Sequence, residues 1–348
     1  MRKYLIYSDV HFSKNSSIIR SLGDKYTKRL ENCIRSISWA EQYADFNNID
    51  EILCLGDFFD KPDLSSEELT ALQEITWSKK PHTFIVGNHD ASRKDLIFNS
   101  VNSLKNLGFK IIEKPTVGTL DSFNLLYIPY LQDDIRKSIK EYKEENNLNE
   151  NKLIVFSHND VHCQYGMYRN DSGFEIEDIE NNCNLFLNGH IHNTYRFCKN
   201  GFNVGNLTGQ NFNENAFEYP HYIYILNLGD NGEISLDPVE NPFAFNFYQI
   251  EVNSKKEFEI LNKLKSNSIL SVKCKSELIE ELKLKLREIP NILESRIICN
   301  KMLEGSKKEI NLTSLHKINH IDELEKFVIN QLGDTKEIHA ELNKIRNN

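Results

Sequence analysis

Five short motifs in this sequence combine aspartate, histidine and asparagine, the residue types that bind divalent metal ions. They are Asp9-Val10-His11, Gly56-Asp57-Phe58-Phe59-Asp60, Gly87-Asn88-His89-Asp90, Ser157-His158 and Gly189-His190-Ile191-His192. Carboxylates, imidazoles and an amide carbonyl form a mixed oxygen and nitrogen donor set that suits Mn(II), Mg(II), Fe(II) or Zn(II). The candidates are too many for one open catalytic ion, so they predict two ions about 3.5–4 Å apart that share a bridging carboxylate. Such a pair can bind and hydrolyse a phosphate ester.

The placement of the motifs carries more weight than any one of them. Each follows an apolar, strand-like run, and ligands of open α/β sheets bind beyond the carboxyl ends of the strands. We therefore expect all five to converge on one edge of the sheet. Five of the 11 histidines lie in the motifs, whereas an isolated His158 would be interpreted as a buried structural residue. The remaining histidines are expected to be structural or exposed, apart from His162, whose role the sequence leaves undecided; they are His82, His221, His316, His320 and His339.

Hydrophobic periodicity predicts the elements that position these motifs. The predicted strands that precede motifs are Lys3–Ser8, Glu51–Leu55, His82–Val86, Lys152–Phe156 and Asn184–Leu187, and further strands are Asn124–Ile128, Tyr195–Cys198, Phe202–Val204, His221–Leu228 and Glu233–Leu236. The predicted helices are Lys28–Phe46, Ser65–Trp77, Asp95–Leu107 and Asp133–Glu145. Strands that alternate with helices and then give way to hairpins indicate a mixed α/β architecture, with helices covering the sheets.

The composition changes near Asn241-Pro242, after which the pattern predicts a separate β-α-β-α-β module. Gly305–Glu309 is predicted to be a linker, and two short amphipathic helices are expected in the last 30 residues. Those helices either pack on the body of the chain or dock on a partner.

Charge, hydropathy and cysteine usage exclude several classes of protein. The net charge of −9 argues against a protein that coats nucleic acid through bulk positive potential. No run approaches the roughly 18 apolar residues of a membrane span, and the N-terminus does not have the pattern of a signal peptide. The seven cysteines are scattered, which predicts free thiols in a reducing cytosol. We therefore expect a cytoplasmic protein, in a bacterium or a phage-infected host, without membrane attachment.

The motif series D-x-H, GDxxD, GNHD, H and GHxH resembles that of the calcineurin-like metallophosphoesterase superfamily, over about the first 240 residues. Within that superfamily it is most similar to the SbcD-type (meiotic-recombination-type) DNA nucleases, particularly their short phage versions. The resemblance implies a sandwich of two mixed sheets flanked by helices, followed by a small α+β capping domain and a C-terminal helical pair. The implied domains are residues 1–240 (nuclease), 241–303 (DNA capping) and 304–348 (linker and ATPase-docking tail).

The resemblance also implies roles for individual residues. One metal would be held by Asp9, His11, Asp57 and His192, and the other by Asp57, Asn88, His158 and His190, with Asp57 as the bridge. His89 would bind no metal but would stabilise the transition state and protonate the leaving oxygen, with Asp90 orienting its ring. Asp60 would lie behind the ligands. Ser157 departs from the pattern, because many relatives have glycine before the fourth-motif histidine.

The partners implied are DNA, a second copy of the chain and an SbcC-type ABC ATPase with a coiled coil. The helices Ser65–Trp77 and Asp95–Leu107 would form the homodimer, and residues 312–348 would dock on the ATPase. Basic residues near the motifs either contact DNA phosphates or form an ordinary solvated surface; they are Lys14, Arg20, Lys25, Lys28, Arg29, Arg93 and Lys94.

The function expected from the resemblance is Mn(II)-dependent cleavage of DNA as an exonuclease or endonuclease, with Mg(II) as the alternative ion. A phosphatase or cyclic-nucleotide phosphodiesterase would share the same metal centre, so the motifs alone do not separate these activities. A non-catalytic scaffold is disfavoured because every expected ligand position is filled.

Overall fold

Two mixed six-stranded sheets stacked face to face form the framework of the protein in the computed structural model. The structure describes residues 1–19, 21–120, 122–148, 151–162, 164–165, 168–169, 172–290 and 292–300. The strands are β1 (Arg2–Tyr7), β2 (Glu51–Cys54), β3 (His82–Ile85), β4 (Lys110–Ile112), β5 (Thr116–Leu120), β6 (Phe123–Ile128), β7 (Lys152–Ser157), β8 (Val161–His162), β9 (Gln164–Tyr165), β10 (Tyr168–Arg169), β11 (Phe174–Glu175), β12 (Leu185–Asn188), β13 (Tyr195–Arg196), β14 (Gly201–Asn203), β15 (Tyr222–Leu228), β16 (Ile234–Glu240), β17 (Asn246–Val252), β18 (Ser268–Lys275) and β19 (Ile292–Asn300). The α-helices are α1 (Lys28–Phe46), α2 (Ser66–Leu72), α3 (Ile139–Glu145), α4 (Ile176–Asn182) and α5 (Ile279–Glu288), and 3₁₀ helices cover Ser100–Leu107, Lys255–Lys263 and Ser276–Leu278.

The first sheet has the order β16-β15-β1-β2-β3-β4, in which β1 to β4 run parallel. The second sheet has the order β13-β14-β12-β7-β6-β5, with a parallel centre and antiparallel edges. Parallel neighbours place their carboxyl ends on the same side, so the motifs that follow β1, β2 and β3 emerge together. The expected sandwich of two mixed sheets flanked by helices is confirmed.

Alternation along the strands explains why the sheets pack in layers. In β1, Tyr4 and Ile6 belong to the buried cluster that also contains residues of the second sheet, such as Phe156. Leu5 and Tyr7 point to the other face and join the cluster that contains α1. The outer face of the second sheet is covered in the same way by α3 and α4. Burial of each large apolar side chain stabilises this arrangement by about 1.5–3 kcal/mol.

Most predicted elements are present, with shifted ends. Asp95–Leu107 was predicted to be helical throughout, but only Ser100–Leu107 is helical, as a 3₁₀ helix. Asn99 determines where it begins, because its side chain accepts a hydrogen bond from the N–H of Asn102. The predicted helix Asp133–Glu145 likewise begins only at α3, where Ser138 and Glu141 form a capping box.

A three-stranded parallel sheet of β17, β18 and β19 follows the sandwich. It has its own buried cluster with α5, and this cluster includes Ala216 from the preceding segment. Residues 246–300, called the small module below, have the predicted order of elements, with a 3₁₀ helix in place of the first α-helix. They belong to one compact unit with the residues before them, so their independence as a module stays a prediction. The domain boundaries at 240/241 and 303/304 stay predictions, and the linker and the two terminal helices lie outside the described residues.

Two further observations bear on the predicted class of protein. No described helix has both the length and the apolar character needed to cross a membrane. The described cysteines are free thiols: Cys33, Cys54, Cys183, Cys198, Cys274 and Cys299.

Candidate metal centre

The five motifs meet in space, but they come from both sheets. Asp9, Asp57 and Asn88 follow β1, β2 and β3 of the first sheet, whereas His158 and His190 follow β7 and β12 of the second. The expectation that all motifs share one edge of a single sheet is therefore wrong. The motifs lie where corresponding ends of the two stacked sheets approach each other.

The first cluster consists of Asp9, His11 and His192, whose ligand atoms all lie within 4.8 Å of one another. The Nε2 atoms of the two histidines face each other at 3.1 Å. Two nitrogen lone pairs at this distance repel, so either a shared proton or a cation must lie between them. The Oδ1 atom of Asp9 is buried and has no hydrogen-bond partner. A buried carboxylate oxygen without a partner is costly, and a cation at this position would satisfy it.

The second cluster consists of Asp57, His158 and His190, with Asn88 beside them. The Oδ1 atom of Asn88 lies 3.0 Å from His190 Nδ1 and 3.2 Å from His158 Nε2. His158 donates from Nδ1 to the carbonyl oxygen of Leu55 at 2.6 Å. Its Nε2 atom is thereby directed at the cluster.

Asp57 lies between the two clusters. Its Oδ2 atom is 3.2 Å from His158 Nε2 and 3.7 Å from His11 Nε2. Its Oδ1 atom accepts a hydrogen bond from the backbone N–H of His89 at 2.8 Å. This geometry places one carboxylate oxygen within reach of both metal positions, as a bridging ligand requires.

Before a cation binds, Asp57 and His158 form a buried ion pair. Burial alone would raise the pKa of Asp57, but the nearby His158 and His11 lower it overall. Burial would lower the pKa of His158, but the charge and hydrogen bond of Asp57 raise it to about 9. The metal-free centre therefore holds a proton on His158 at neutral pH.

The motif glycines are required by close packing around these ligands. A Cβ atom on Gly56 would lie 2.2 Å from His158 Nδ1, and one on Gly87 would lie 2.1 Å from Asp57 Oδ1. Either contact is far inside van der Waals distance. Any larger residue would displace a candidate ligand.

Four candidate ligands also have left-handed backbone conformations. The φ angles of Asp9, His11, Asp57 and His190 are +49°, +46°, +47° and +74°. Such φ values are uncommon for residues with a side chain, and they persist where the surrounding structure enforces them. The strain is concentrated where the side chains must turn toward a common point.

His89 is exposed, as a group that meets a substrate should be. Its ring lies 4.6 Å from that of His11, and its Nδ1 atom is 3.1 Å from the backbone carbonyl oxygen of Asp60. Since a carbonyl oxygen only accepts, Nδ1 carries the proton in this contact when the ring is neutral. His89 also falls within 4.8 Å of His11 and Asp57.

The contacts of Asp90 differ from the predicted orientation of His89. Its two carboxylate oxygens accept hydrogen bonds from the backbone N–H groups of Phe59 and Gly87, at 2.8 and 2.9 Å. Burial and the charge of Asp57 raise the pKa of Asp90 to about 7. Asp90 thus links the third motif loop to the second, and its role in orienting the ring of His89 stays a prediction.

Three of the candidate histidine ligands have a carboxylate oxygen close to one ring nitrogen. Asp60 Oδ1 is 3.1 Å from His11 Nδ1, in the position expected for it behind the ligands. The other two carboxylates are Asp160, 3.3 Å from His190, and Glu214, 2.7 Å from His192. Neither lies in a recognisable motif, so only the folded structure reveals them. Burial would raise the pKa of Glu214, but the hydrogen bond and charge of His192 lower it to about 2.

Three of the basic residues near the first motif already have partners in the structure. Arg29 is 3% exposed and donates to the carbonyl oxygens of Val10 and Gly209, so it is not available to DNA. Lys14 and Lys25 pair with Glu67 and Glu74. Arg93 and Lys94 are exposed; Arg20 lies outside the described residues.

A cavity adjoins each cluster. One, of about 490 Å³, is bordered by His11 and Asp60 together with Ser16, Gln210 and Asn211. The other, of about 390 Å³, is bordered by Asn88, Tyr130, Arg93 and Lys94, among other residues. Polar groups predominate around both, which suits a charged ligand better than an apolar one.

The residues present fit a pair of divalent cations. The donors are oxygens and imidazole nitrogens in three overlapping groups: the two clusters and a third group of His11, Asp57 and His89. The unpartnered Asp9 oxygen marks a place where positive charge would be stabilising. The sequence-predicted ligands are brought together as two groups. Their assignment as ligands stays a prediction until an ion is observed.

Comparison with known proteins identifies the family by sequence. The sequence profile described as "Calcineurin-like phosphoesterase" matches residues 2–194. No curated protein sequence matches the chain.

Three solved structures are matched at low identity and with TM-scores below 0.5. A dimetal phosphatase from Danio rerio is 11% identical with a TM-score of 0.44, over 69% of this chain and 96% of its own. A purple acid phosphatase from yellow lupin (Lupinus luteus) seeds is 13% identical with a TM-score of 0.45, over 69% and 51% of the two chains. The protein TT1561 of Thermus thermophilus is 11% identical with a TM-score of 0.40, over 68% and 98%.

Proposed function

The chain belongs to the calcineurin-like phosphoesterase family, and from this premise we propose that it hydrolyses the phosphodiester bonds of DNA with a two-metal centre. The metals proposed are Mn(II) ions, with Mg(II) as the alternative. The observation that carries the proposal is the small module of residues 246–300, packed against the segment that leads from the metal centre. This module gives an extended polymer more surface than a small phosphate ester needs.

Different residues of the chain would contribute to different parts of the hydrolysis. When bound, two divalent cations would supply Lewis acidity at the phosphate and lower the pKa of attacking water. His89 is exposed and close to His11, and its Nδ1–H is donated to the carbonyl oxygen of Asp60. When the ring also carries a proton on Nε2, that N–H can bind the phosphate and pass its proton to the leaving oxygen. Asp90 holds the loop that carries His89 by two backbone hydrogen bonds.

The cavities support a substrate that extends on both sides of the scissile bond. One lies beside the first cluster and the other beside the second, so a strand crossing the centre would meet both. Arg93 and Lys94 border the second cavity and can neutralise backbone phosphates there.

A specific observation favours a second candidate, a phosphatase or cyclic-nucleotide phosphodiesterase with the same centre. Lys14 and Lys25 are already paired with glutamates, Arg29 is buried, and the net charge is −9. A small substrate would need no basic track, since the metals alone could bind its phosphate.

A substrate comparison tests these alternatives directly. Purified full-length protein with Mn(II) is assayed on end-labelled double- and single-stranded DNA, on p-nitrophenyl phosphate and on cyclic nucleotides. We expect DNA to be cleaved with the highest kcat/KM. Hydrolysis of the monoester or the cyclic nucleotide without DNA cleavage would assign the second function instead.

The partners follow from the same proposal. We propose that residues 312–348 dock on the coiled coil of an ABC-type ATPase. Pull-downs from the native host with the full chain and with a chain lacking residues 312–348 test this, and capture of the ATPase by both would refute it.

We also propose a homodimer through α2 and the 3₁₀ helix Ser100–Leu107. Exposed apolar side chains lie on or beside these elements, namely Leu69, Ile97, Phe98 and Leu107. Analytical ultracentrifugation should give twice the 40.6 kDa chain mass, and a monomer at micromolar concentration would contradict the proposal.

A further inference from the structure

A buried glutamate outside all five motifs contacts one of the candidate metal ligands. Glu214 is 2% exposed, and its Oε1 atom lies 2.7 Å from Nδ1 of His192. We propose that Glu214 is a positioning residue, which fixes the ring of His192 so that Nε2 faces the first metal position. The inference rests on the two-metal centre of the proposed function, but not on DNA as the substrate.

The direction of the hydrogen bond selects the tautomer of His192. A carboxylate oxygen only accepts, so Nδ1 of His192 must carry the hydrogen in this contact. The other nitrogen, Nε2, lies 3.1 Å from His11 Nε2 and belongs to the cluster with Asp9. Because Glu214 holds the hydrogen on Nδ1, the lone pair of His192 Nε2 is the one that can bind an ion at the first metal position.

Glu214 is itself held by hydrogen bonds that only a carboxylate can accept together. Its Oε1 atom also accepts from Asn211 Nδ2 at 2.7 Å. Its Oε2 atom accepts from Asn206 Nδ2 at 2.8 Å and from the backbone N–H of Gln210 at 2.7 Å. A glutamine at this position would present its side-chain NH₂ group to some of these donors. An NH₂ group cannot accept their hydrogen bonds. The site thus specifies glutamate over glutamine of nearly the same shape.

The segment that carries Glu214 is fixed on its far side by the small module. The N–H of Ala216 donates to the carbonyl oxygen of Phe247 in β17, and Gln249 Nε2 donates to the carbonyl oxygen of Phe212. The rings of Phe212 and Phe247 pack at 5.2 Å. A carboxylate held between β17 and His192 has little freedom to move when an ion binds.

Two other histidines have similar partners, but these are more exposed. The side chain of Asp60, beside His11, is 36% exposed, and that of Asp160, beside His190, is 27% exposed. The side chain of Glu214 is 2% exposed. Since water can replace an exposed partner more readily than a buried one, Glu214 should have the largest effect of the three.

The chain contains a matched pair without a metal position. His82 Nε2 lies 2.8 Å from Glu41 Oε2, and both side chains are fully buried. His82 Nδ1 contacts the carbonyl oxygen of Lys80 at 2.7 Å, so both ring nitrogens are occupied. Glu41→Gln therefore makes the same chemical change in a buried histidine pair that has no nitrogen left for an ion.

The experiment measures Mn(II) binding by isothermal titration calorimetry to the metal-free full chain, as wild type, Glu214→Gln and Glu41→Gln. We expect Glu214→Gln to lose about 10–100-fold in affinity at one of two sites, the range known for partners of metal-bound histidines. Glu41→Gln should bind both ions as the wild type does. Unchanged binding by a folded Glu214→Gln, or an equal loss in both variants, would overturn the inference.

A second measurement needs no variant and so does not depend on the folding of one. In the zinc-loaded wild-type protein, long-range ¹H–¹⁵N NMR spectra distinguish the protonated from the metal-bound nitrogen of His192. We expect the proton on Nδ1 and the ion on Nε2. An ion on Nδ1 would overturn the inference, even if Glu214→Gln failed to fold.

These outcomes separate the inference from the proposed function. Wild-type protein that binds two ions but does not cleave DNA would refute the nuclease activity and leave the role of Glu214 intact. Wild-type protein that binds no Mn(II) would refute both.

Discussion

Two buried systems of histidine and carboxylate lie at opposite ends of the same sheet. His82 begins β3 and pairs with Glu41, whereas Asn88 follows the end of β3 and belongs to the metal centre. The first system is closed, because hydrogen bonds occupy both nitrogens of His82 and aromatic rings surround it. The second is open, because His11 and His192 direct nitrogens at each other. A buried carboxylate oxygen without a hydrogen-bond partner occurs in both systems, on Asp9 and on Glu41, so the ring nitrogens make the difference. Residue type alone therefore does not make a metal site.

Backbone geometry accounts for the difference. His82 lies in a regular strand, where its ring stacks on Phe109 with centroids 4.1 Å apart. Asp9, His11 and Asp57 have positive φ angles in loops that a glycine or a tight contact shapes. The centre stores local strain where its ligands converge, and the pair at the other end stores none of this kind.

The largest effect is expected from removal of the residue that both clusters share. Asp57→Asn replaces the carboxylate proposed as the bridge with a weaker, neutral ligand, so we expect loss of at least one bound ion and of phosphodiesterase activity to the level of metal-free protein. Metal content by inductively coupled plasma mass spectrometry and hydrolysis of bis-p-nitrophenyl phosphate measure this. Full metal content in a folded variant would show that Asp57 is not the bridge.

His89→Ala should separate chemistry from metal binding within the open system. His89 is exposed and is assigned no metal, so the variant should keep both ions and lose about 10²–10⁴-fold in kcat, the usual contribution of a general acid. The same metal analysis and assay apply. A variant that hydrolyses the substrate at the wild-type rate would remove His89 from the mechanism.

Glu41→Ala tests the closed system, where we expect an effect on stability alone. The change leaves His82 Nε2 and the N–H of Ser78 without their buried acceptor, and it creates a cavity. Loss of one partner of a buried pair costs about 3–5 kcal/mol. Urea unfolding of the metal-free protein measures the free energy, and Mn(II) titration of the folded variant serves as the control. A change in metal affinity would mean that the two ends of the sheet communicate.

The smallest expected effect is the pH dependence of metal affinity, which tests whether His158 is protonated in the metal-free protein. The Asp57 pair raises the pKa of His158 to about 9, so the metal-free protein carries this proton at pH 7 and an ion must displace it. Metal affinity should therefore rise by about tenfold per pH unit up to about pH 9 and level off above it. Calorimetry in buffers with different ionisation enthalpies should detect the released proton. Affinity independent of pH between 7 and 9 would contradict the assignment.

The raised pKa of His158 also predicts how the stability of the metal-free protein depends on pH. The folded pKa of His158 is above its ordinary value, so its pairing contributes fully below the unfolded pKa of about 6.5. That contribution is lost as pH rises through about 9. Chemical unfolding of metal-free protein at pH 6 and pH 9 gives the comparison, with His158→Gln as the control.

The sequence predicted the parts of this molecule that local patterns encode. Apolar runs before Asp9, Asp57 and Asn88 identified β1, β2 and β3, because the motifs directly follow strands. The alternation of elements predicted a mixed α/β fold with helix-covered sheets, whereas the sandwich of two sheets was implied by the family resemblance. Short or half-exposed strands were missed, such as β4 and β5, since neither has a continuous apolar run.

Contacts that only the tertiary structure creates could not be read from the sequence. Glu214 and Asp160 reach their histidines across long stretches of chain and lie in no motif. Arg29 resembled a surface cation, yet its guanidinium caps the carbonyl oxygens of two loops. Polar residues in such positions are identified by what surrounds them, which sequence spacing does not record.

Because each sheet contributes to both clusters or to their bridge, bound ions would act as cross-links between the two halves of the sandwich. Asp57 and Asn88 come from one half, and His158, His190 and His192 come from the other. Ligands this far apart in the chain cannot form the same site once it unfolds, so every bound ion favours the folded state by mass action. The melting temperature should therefore rise with free Mn(II), and in a metal-starved cell the protein would be turned over faster by proteases.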